Sequence, residues 1–190
     1  MINRIYANWV YGGFLAGILL IFCMPLFTSD WSFVLKLCYL TLPVYMVHQL
    51  EEWDNDKFRV FINNHLGNGV NLLTPCAGFF INVFGVWGVI AASLYLATSI
   101  DAGYVLIAAY LVLINALVHI VAGLVLRAYN PGLVTAIILF LPLGTYLILI
   151  SLQMGHGSVH FQLIGLLTAI FIHAAIVLHL ARRRISMRGK

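Results

Sequence analysis

Six long apolar segments, separated by short polar breaks, make up most of the chain. The segments cover residues 9–27, 31–48, 77–97, 103–126, 131–152 and 159–180. Each contains 18 to 24 residues and almost no charge, which matches the roughly 20 residues that cross a bilayer as a helix. The pattern predicts an all-α fold, a polytopic transmembrane helical bundle of about six spans, with residues 1–190 forming a single domain.

The one long break, residues 51–76, has a pattern of its own. Within it Phe58, Phe61 and Ile62 recur at helical spacing beside polar side chains, which predicts an amphipathic surface helix near residues 56–66. Two roles are open for this helix. It either connects two spans along the membrane surface or covers a site as a lid.

The composition excludes an ordinary soluble domain. Hydrophobic residues make up 63% of the chain and charged residues only 8%, with a mean hydropathy of +1.01, whereas a soluble domain carries roughly 25% charged residues. The predicted surroundings are therefore the lipid bilayer. The net charge of +4 does not indicate a nucleic-acid partner, because five of the ten basic residues lie in the last nine positions, as in a juxtamembrane tail.

The distribution of charge also predicts the direction of the spans. With six spans, both termini share one side with the second and fourth loops, and that side collects nine basic residues. The opposite side has only Lys36. Because basic residues are retained on the cytoplasmic side of a membrane, both termini are predicted to be cytoplasmic.

The second span ends in a cluster of polar residues, His48-Gln49-Leu50-Glu51-Glu52. At about 100° per residue, Glu51 lies roughly 60° to one side of His48 and Glu52 roughly 40° to the other, so one imidazole and two carboxylates share a face. Nitrogen and carboxylate donors of this kind suit Zn, Fe or Mn. The alternative is a helix that simply ends in water, with both carboxylates solvated.

Two later spans carry polar groups at a similar depth. The fourth span has Asn115 and His119 on one face, and the sixth has His173. Ionisable groups inside a span are costly and usually face the bundle interior, although a single histidine also hydrogen-bonds a neighbouring carbonyl. We predict a metal site in the cytoplasmic half of the bundle, built from five ligands: His48, Glu51, Glu52, His119 and His173.

The remaining histidines are predicted to lie at the membrane interfaces. They are His65, His156, His160 and His179. His65 and His179 fall on the same side as the predicted site, and the sequence leaves open whether either of them, or His173, binds the metal.

Three motifs of the chain resemble those of the H-x-x-E-E family of small bacterial integral membrane proteins. They are His48-Gln49-Leu50-Glu51-Glu52, the pair Asn115 and His119, and Tyr129-Asn130-Pro131-Gly132, in the family's order. The resemblance implies a multi-pass protein of the bacterial inner membrane with a metal site. It implies no substrate, because the family is described by its motifs rather than by an activity. In physical terms, Pro131 suits the first turn of a helix and Gly132 allows close backbone approach.

Such a site predicts a metal-dependent membrane enzyme that acts on a lipophilic or amphipathic substrate. One divalent metal held by histidines and a carboxylate keeps a position open for water, which then loses a proton near about pH 7 and supports hydrolysis. In this hypothesis Glu52 is a ligand or the general base. Asn115 either supports His119 or donates a hydrogen bond to the substrate, and Tyr129 either anchors the chain at the membrane interface or donates a hydrogen bond to the substrate. Two metals held by both carboxylates would instead support oxidation of a lipid tail, as in di-iron proteins. Hydrolysis is the preferred hypothesis.

Two other classes of function are open. A transporter or channel would move metal ions or protons along the His and Glu groups, but it needs a route through both halves, and the outer half has few polar residues. A non-enzymatic membrane interaction protein would use its histidines only for hydrogen bonds between helices. The sequence does not define the metal, the substrate or the oligomeric state.

Overall fold

The computed structural model describes residues 1–188, which are helical and contain no strand. We number seven helices in this part of the chain. They are α1 (Ile2–Phe27), α2 (Phe33–Trp53), α3 (Lys57–His65), α4 (Pro75–Ser99), α5 (Ala102–Leu126), α6 (Leu133–Gln153) and α7 (Val159–Arg188). The described part of the chain has six helical segments long and apolar enough to cross a membrane, and the second of them, Phe33–His65, contains both α2 and α3. This confirms the predicted all-α fold with six spans.

Helix α2 extends beyond the predicted end of the second span. It ends at Trp53, so the whole motif from His48 to Glu52 lies on one continuous helix. A kink follows, because Asn55 and Asp56 adopt φ angles of 51° and 64°, which lie outside the right-handed helical region. The kink turns the chain from α2 into α3.

Helix α6 begins later than the sequence predicted. It begins at Leu133 rather than at residue 131, because Gly132 has a φ of 98° that a right-handed helix does not allow. Pro131 therefore lies in the turn before the helix, and its predicted place in the first helical turn is wrong. At the other end of the chain α7 continues to Arg188, while Lys190 of the predicted basic tail lies outside the described residues.

Helix α3 packs against the ends of three spans. Its Phe58 and Ile62 join an apolar cluster with Trp9 of α1, Trp53 of α2 and Leu180 of α7. The beginning of α1 and the ends of α2 and α7 therefore meet at one end of the bundle, which we call the site end.

The rest of the bundle is filled by a larger apolar cluster. Helix α5 has the largest buried share of the six spans and is the central helix. At the end of the bundle away from α3, which we call the far end, α7 approaches α5 closely at Gly165. A Cβ on Gly165 would lie 2.5 Å from the backbone O of Leu106, so this helix contact requires glycine.

Two spans contain wide helical turns. Residues Ile81–Trp87 of α4 and Ala136–Phe140 of α6 form π-helical turns. Such turns occur often at functional sites, because they change the direction of the side chains along a helix. Here they present Asn82 and Phe140 to α2: Asn82 Oδ1 accepts a hydrogen bond from Gln49 Nε2 at 2.8 Å, and the Phe140 ring packs on the His48 ring.

Candidate metal centre

Two imidazoles and one carboxylate converge between α2 and α5. Glu52 Oε1 lies 3.1 Å from His119 Nε2, and Glu52 Oε2 lies 3.6 Å from His48 Nε2. One ligand atom from each residue lies within 4.8 Å of the others, and all three side chains are buried. Among residues 1–188, this is the group of His, Cys, Asp and Glu side chains with the spacing of a metal site.

Asn130 fixes the protonation of the His119 ring. Its Nδ2 donates to the backbone O of His119 at 3.0 Å, so its Oδ1 faces the ring and lies 2.7 Å from Nδ1. A carbonyl oxygen only accepts hydrogen bonds, and Nδ1 must therefore carry a proton. In neutral His119 the lone pair is then on Nε2, the atom that faces Glu52.

Helix α6 fixes the His48 ring in the same way. His48 Nδ1 lies 2.7 Å from Thr135 Oγ1, and this hydroxyl donates its single proton to Glu51 Oε2 at 2.5 Å. Thr135 Oγ1 is therefore the acceptor, and His48 Nδ1 is the donor. The lone pair of neutral His48 is then on Nε2, which is buried without a hydrogen-bond partner.

In their neutral forms both histidines thus direct an Nε2 lone pair toward Glu52. In metal sites the ligating histidine usually donates its other ring N–H to an oxygen, which holds the ring in place; Thr135 and Asn130 supply these oxygens. Two histidines and one carboxylate are the protein ligands of hydrolytic zinc sites and of non-haem iron sites with open positions. The geometry and the donor set therefore fit a single metal ion.

Glu51 is turned away from the three converging residues. Its carboxylate accepts hydrogen bonds from Tyr129 OH at 2.8 Å, from the backbone N–H groups of Val134 and Thr135 at 3.1 and 2.7 Å, and from the Thr135 hydroxyl. The two N–H groups lie in the first turn of α6, where a helix leaves them without partners of its own. Glu51 therefore caps α6 and positions His48 through Thr135. Its role as a metal ligand stays a prediction.

Gly132 forms one wall of the cluster. A Cβ at this position would lie 2.7 Å from Glu52 Cγ, 2.7 Å from His119 Cε1 and 2.9 Å from His48 Cε1. Both its positive φ and the space available therefore require glycine. The close backbone approach predicted for Gly132 occurs against the three residues of the candidate site.

A cavity of about 270 Å³ lies beside the cluster. Glu52 and His119 contribute to its wall, and most of the remaining wall is apolar and comes from α3, α5 and α7. Phe58, Phe61 and Ile62 of α3 line the cavity. Helix α3 thus covers the cavity. Of the two roles that the sequence left open for this helix, its position favours a lid over a simple connector.

Asn115 and His173 also line this cavity, outside the group of three converging residues. Asn115 Nδ2 donates to Tyr45 OH at 2.9 Å, whereas Asn115 Oδ1 is buried without a partner. His173 Nδ1 donates to the backbone O of Ala169 at 2.8 Å, so the Nε2 of the neutral ring is an acceptor. The ligand role predicted for His173 and the catalytic role predicted for Asn115 stay predictions.

Tyr129 contacts Glu51 and lies outside the cavity wall formed by the described residues. Its side chain is 54% exposed. Partial burial and the hydrogen bond to Glu51 raise the pKa of Tyr129 to about 12, so the hydroxyl remains a donor at neutral pH. In the structure Tyr129 donates a hydrogen bond to Glu51. Its contact with a substrate stays a prediction.

The other histidines lie outside the cluster. His65 Nδ1 donates to the backbone O of Phe61 at 2.9 Å, and the ring lines the cavity. His160 and His179 are exposed and His156 is half-buried, and their positions at the membrane interfaces stay predictions.

Sequence reasoning missed Asn130 and Thr135, which hold the two histidine rings. The sequence offered a reason to consider Asn130, because it is a polar residue inside the motif from Tyr129 to Gly132. Thr135 had none, because threonine is common in membrane helices, where its hydroxyl bonds the backbone of its own or a neighbouring helix.

The six apolar spans and the buried cluster of histidines and glutamate define a multi-pass helical membrane protein with a candidate metal site. Over residues 39–147 the chain matches the family described as protein of unknown function with HXXEE motif, and it belongs to that family. The match confirms the resemblance seen in the motifs, and the matched range includes His48, Glu52 and His119. No curated protein and no solved structure matches the chain.

Proposed function

We propose that the protein is a metal-dependent membrane enzyme that holds one divalent metal ion at His48, Glu52 and His119. Its substrate is lipophilic or amphipathic. The observation that carries the proposal is the buried Nε2 of His48, which has no hydrogen-bond partner and faces Glu52 beside the Nε2 of His119. A bundle built only for stability would pair this nitrogen, because a buried polar group without a partner costs about 1–3 kcal/mol.

The arrangement favours one ion over two. A two-metal site of the carboxylate type needs further carboxylates, but Glu51 already accepts four hydrogen bonds at the beginning of α6. Two histidines and one glutamate leave coordination positions for water and substrate. Zn, Fe and Mn all accept this donor set.

Hydrolysis is the reaction that fits the site best. A divalent metal polarises a carbonyl or phosphoryl oxygen and lowers the pKa of water. His173 is the proton acceptor in this proposal, because its Nε2 is an acceptor and its ring lines the cavity beside Glu52 and His119. Oxidation at iron would use the same three ligands, so the identity of the metal decides between the two reactions.

Transport of ions or protons has less support. A route across the membrane needs polar groups along its whole length, whereas the bundle away from the cluster is packed as an apolar core. A protein that used its histidines only to join helices would have no reason to leave His48 Nε2 unpaired.

We further propose that the site end faces the cytoplasm of a bacterial inner membrane, because eight of the nine basic residues in the described part of the chain lie at that end. Cys76 is exposed at the beginning of α4 and reports the orientation. A membrane-impermeant maleimide should label Cys76 in inverted vesicles but not in intact cells. A Ser158→Cys variant that also carries Cys76→Ser has its reporter thiol at the far end, and it should show the reverse pattern.

Elemental analysis of detergent-purified protein tests the metal site. The wild type should contain close to one Zn, Fe or Mn per chain. His48→Ala, Glu52→Gln and His119→Ala should each lose the metal, whereas His160→Ala, which removes an exposed histidine at the far end, should keep it. Zinc would direct the search to hydrolysis, and iron would direct it to oxidation.

Each variant should first be shown to be monodisperse and helical, so that loss of metal is distinguished from loss of fold. A well-folded wild type that contains no metal, and binds none when Zn, Fe(II) or Mn is added, would contradict the proposal. Equal metal content in the wild type and in His119→Ala would contradict the assigned ligands.

A further inference from the structure

The cavity beside the cluster has features that a metal ion alone does not use. It lies between α5 and α7, which contribute Ala122 and Ile176 to facing walls. The same two helices are in close contact at the far end through Gly165. The space at the site end is therefore a defined compartment between two helices that are fixed to each other elsewhere.

The rim of the cavity is apolar and exposed. Val118 and Leu126 of α5 and Val177 of α7 line the cavity, and they are 49%, 41% and 66% exposed. These residues belong to membrane-spanning helices, whose exposed apolar side chains contact lipid. A molecule can therefore reach the cavity sideways from the hydrocarbon layer, without crossing water.

The inner wall offers one hydrogen-bond acceptor that the protein itself does not use. Asn115 Oδ1 is buried and has no partner, because the amide of Asn115 is held through its nitrogen by Tyr45 OH. Asn115 is one helical turn from His119 on α5. Among the described residues, no Lys or Arg lines the cavity, so the wall offers no fixed positive charge to an anionic headgroup.

We infer that the cavity binds a single-chain amphiphile whose polar end carries a neutral hydrogen-bond donor, a hydroxyl or an amide N–H. The donor bonds Asn115 Oδ1, the polar end lies next to the metal centre, and the hydrocarbon chain lies between α5 and α7. The assignment of this molecule as substrate rests on the proposed function, whereas its binding does not.

The size of the cavity favours a ligand that places one chain in it. Its volume of about 270 Å³ is just below the range of about 300–1,000 Å³ that is common for drug-sized ligands. The wall formed by the described residues would also supply no cation for the phosphate group of a phospholipid.

Photolabelling in nanodiscs tests the inference. The probe is a medium-chain fatty alcohol with a diazirine in the middle of its chain, and the competitors are the unlabelled alcohol, its methyl ether and the primary amide of equal length. Labelling should be saturable and should map to α5 and α7. The ether should compete about fivefold less well than the alcohol, because it lacks the proton for one neutral hydrogen bond. The amide should compete like the alcohol if an N–H also serves as donor.

Three variants locate the ligand. Ala122→Phe fills the cavity from α5 and should abolish saturable labelling, while Leu124→Phe, on the exposed face of the same helix, should not. Asn115→Leu should remove the preference for the alcohol over the ether. Tyr45→Phe should reduce that preference, because it removes the hydroxyl that holds the Asn115 amide through its nitrogen. If Ala122→Phe does not fold, Ile176→Trp fills the cavity from the opposite wall.

Metal content measured on the same samples separates the two proposals. Saturable, donor-dependent labelling with no metal in the protein would support the ligand and contradict the metal site. Metal at the expected level, with alcohol and ether competing equally, would overturn the inference and leave the metal site intact. Saturable labelling that persists in a folded Ala122→Phe variant, or that maps away from α5 and α7, would also overturn it.

Discussion

The two ends of the bundle differ in whether every buried polar group has a partner. At the far end these groups are paired: Ser93 Oγ donates to the backbone O of Tyr104 at 2.7 Å, and Tyr110 OH donates to Gln162 Oε1 at 2.5 Å. Among residues 1–188, the buried side-chain atoms without a partner are His48 Nε2, Trp53 Nε1 and Asn115 Oδ1, and these residues lie around the cluster and its cavity.

This difference distinguishes polar groups that stabilise the fold from polar groups that are available to a ligand. A polar group inside a membrane protein costs free energy unless it is paired, and the far end shows that this bundle is able to pair such groups. The unpaired groups at the site end are therefore places for something that the chain does not itself supply. Substitutions at both ends of the bundle test this contrast.

Gly132→Ala should disrupt the site end most strongly. The added methyl group would meet His48, Glu52 and His119 within 2.9 Å, so the three side chains have to move apart. We expect loss of the bound metal by elemental analysis, together with a strain of about 1–2 kcal/mol from the positive φ. Gly155→Ala is the matched control, because Gly155 also has a positive φ, of 79°, but has nothing within 4 Å of an added Cβ.

The control should lose a similar amount of stability and keep its metal. If both alanine variants bind metal as the wild type does, the wall formed by Gly132 is not needed to hold the ligands. The contrast between the two ends would then not depend on the packing of this turn.

Thr135→Val should weaken metal binding without disturbing the fold. Valine has the shape of threonine but cannot accept the hydrogen bond from His48 Nδ1, so the ring loses the contact that directs Nε2 toward Glu52. We expect an affinity about 10- to 100-fold lower, measured by competition with a chelator. Thr135→Ser keeps the hydroxyl and should bind within the error of the wild type; a serine variant as weak as the valine variant would argue against this role.

Ser93→Ala should show the opposite behaviour, because Ser93 belongs to the far end. Its hydroxyl also accepts from the backbone N–H of Ala108 at 3.2 Å, so alanine leaves two buried backbone groups without this partner. We expect a loss of about 1–3 kcal/mol in stability, seen as a lower thermal unfolding temperature, and an unchanged metal content. Ser99→Ala, at an exposed position at the end of α4, should change neither quantity. Metal loss in Ser93→Ala would show that the two ends are coupled.

The sequence predicted the fold well because the bilayer permits few solutions. Backbone groups in hydrocarbon must be paired within the helix, and a helix must be about 20 residues long to cross the bilayer. Each span could therefore be predicted from its own residues. The common depth of His48, Glu52 and His119 followed from their positions within the predicted spans. These arguments need only distance along a helix, which the sequence contains.

The sequence did not show that Glu51 and Glu52 have different roles. The two residues lie at similar angles on either side of His48, and only the position of α5 and α6 around α2 decides that Glu52 meets His119 while Glu51 meets Thr135. The arrangement of α5 and α6 around α2 is set by packing between the spans, including the turn at Gly132. The spacing of residues along a helix does not predict this packing. The pairing of each histidine with a supporting residue was out of reach for the same reason.

Tyr129→Phe should have the smallest effect, because Tyr129 is at the site end but its hydroxyl is paired with Glu51. Glu51 keeps its three other donors, so metal content should not change. The pKa of Tyr129 is raised to about 12 by partial burial and by this hydrogen bond, compared with about 10 in the unfolded chain. Its contribution to stability is therefore present below about pH 10 and lost as the pH rises toward 12. The free energy of unfolding, measured between about pH 10 and 12, should decline less in the phenylalanine variant than in the wild type. Loss of metal in that variant would show instead that Tyr129 takes part in holding the metal.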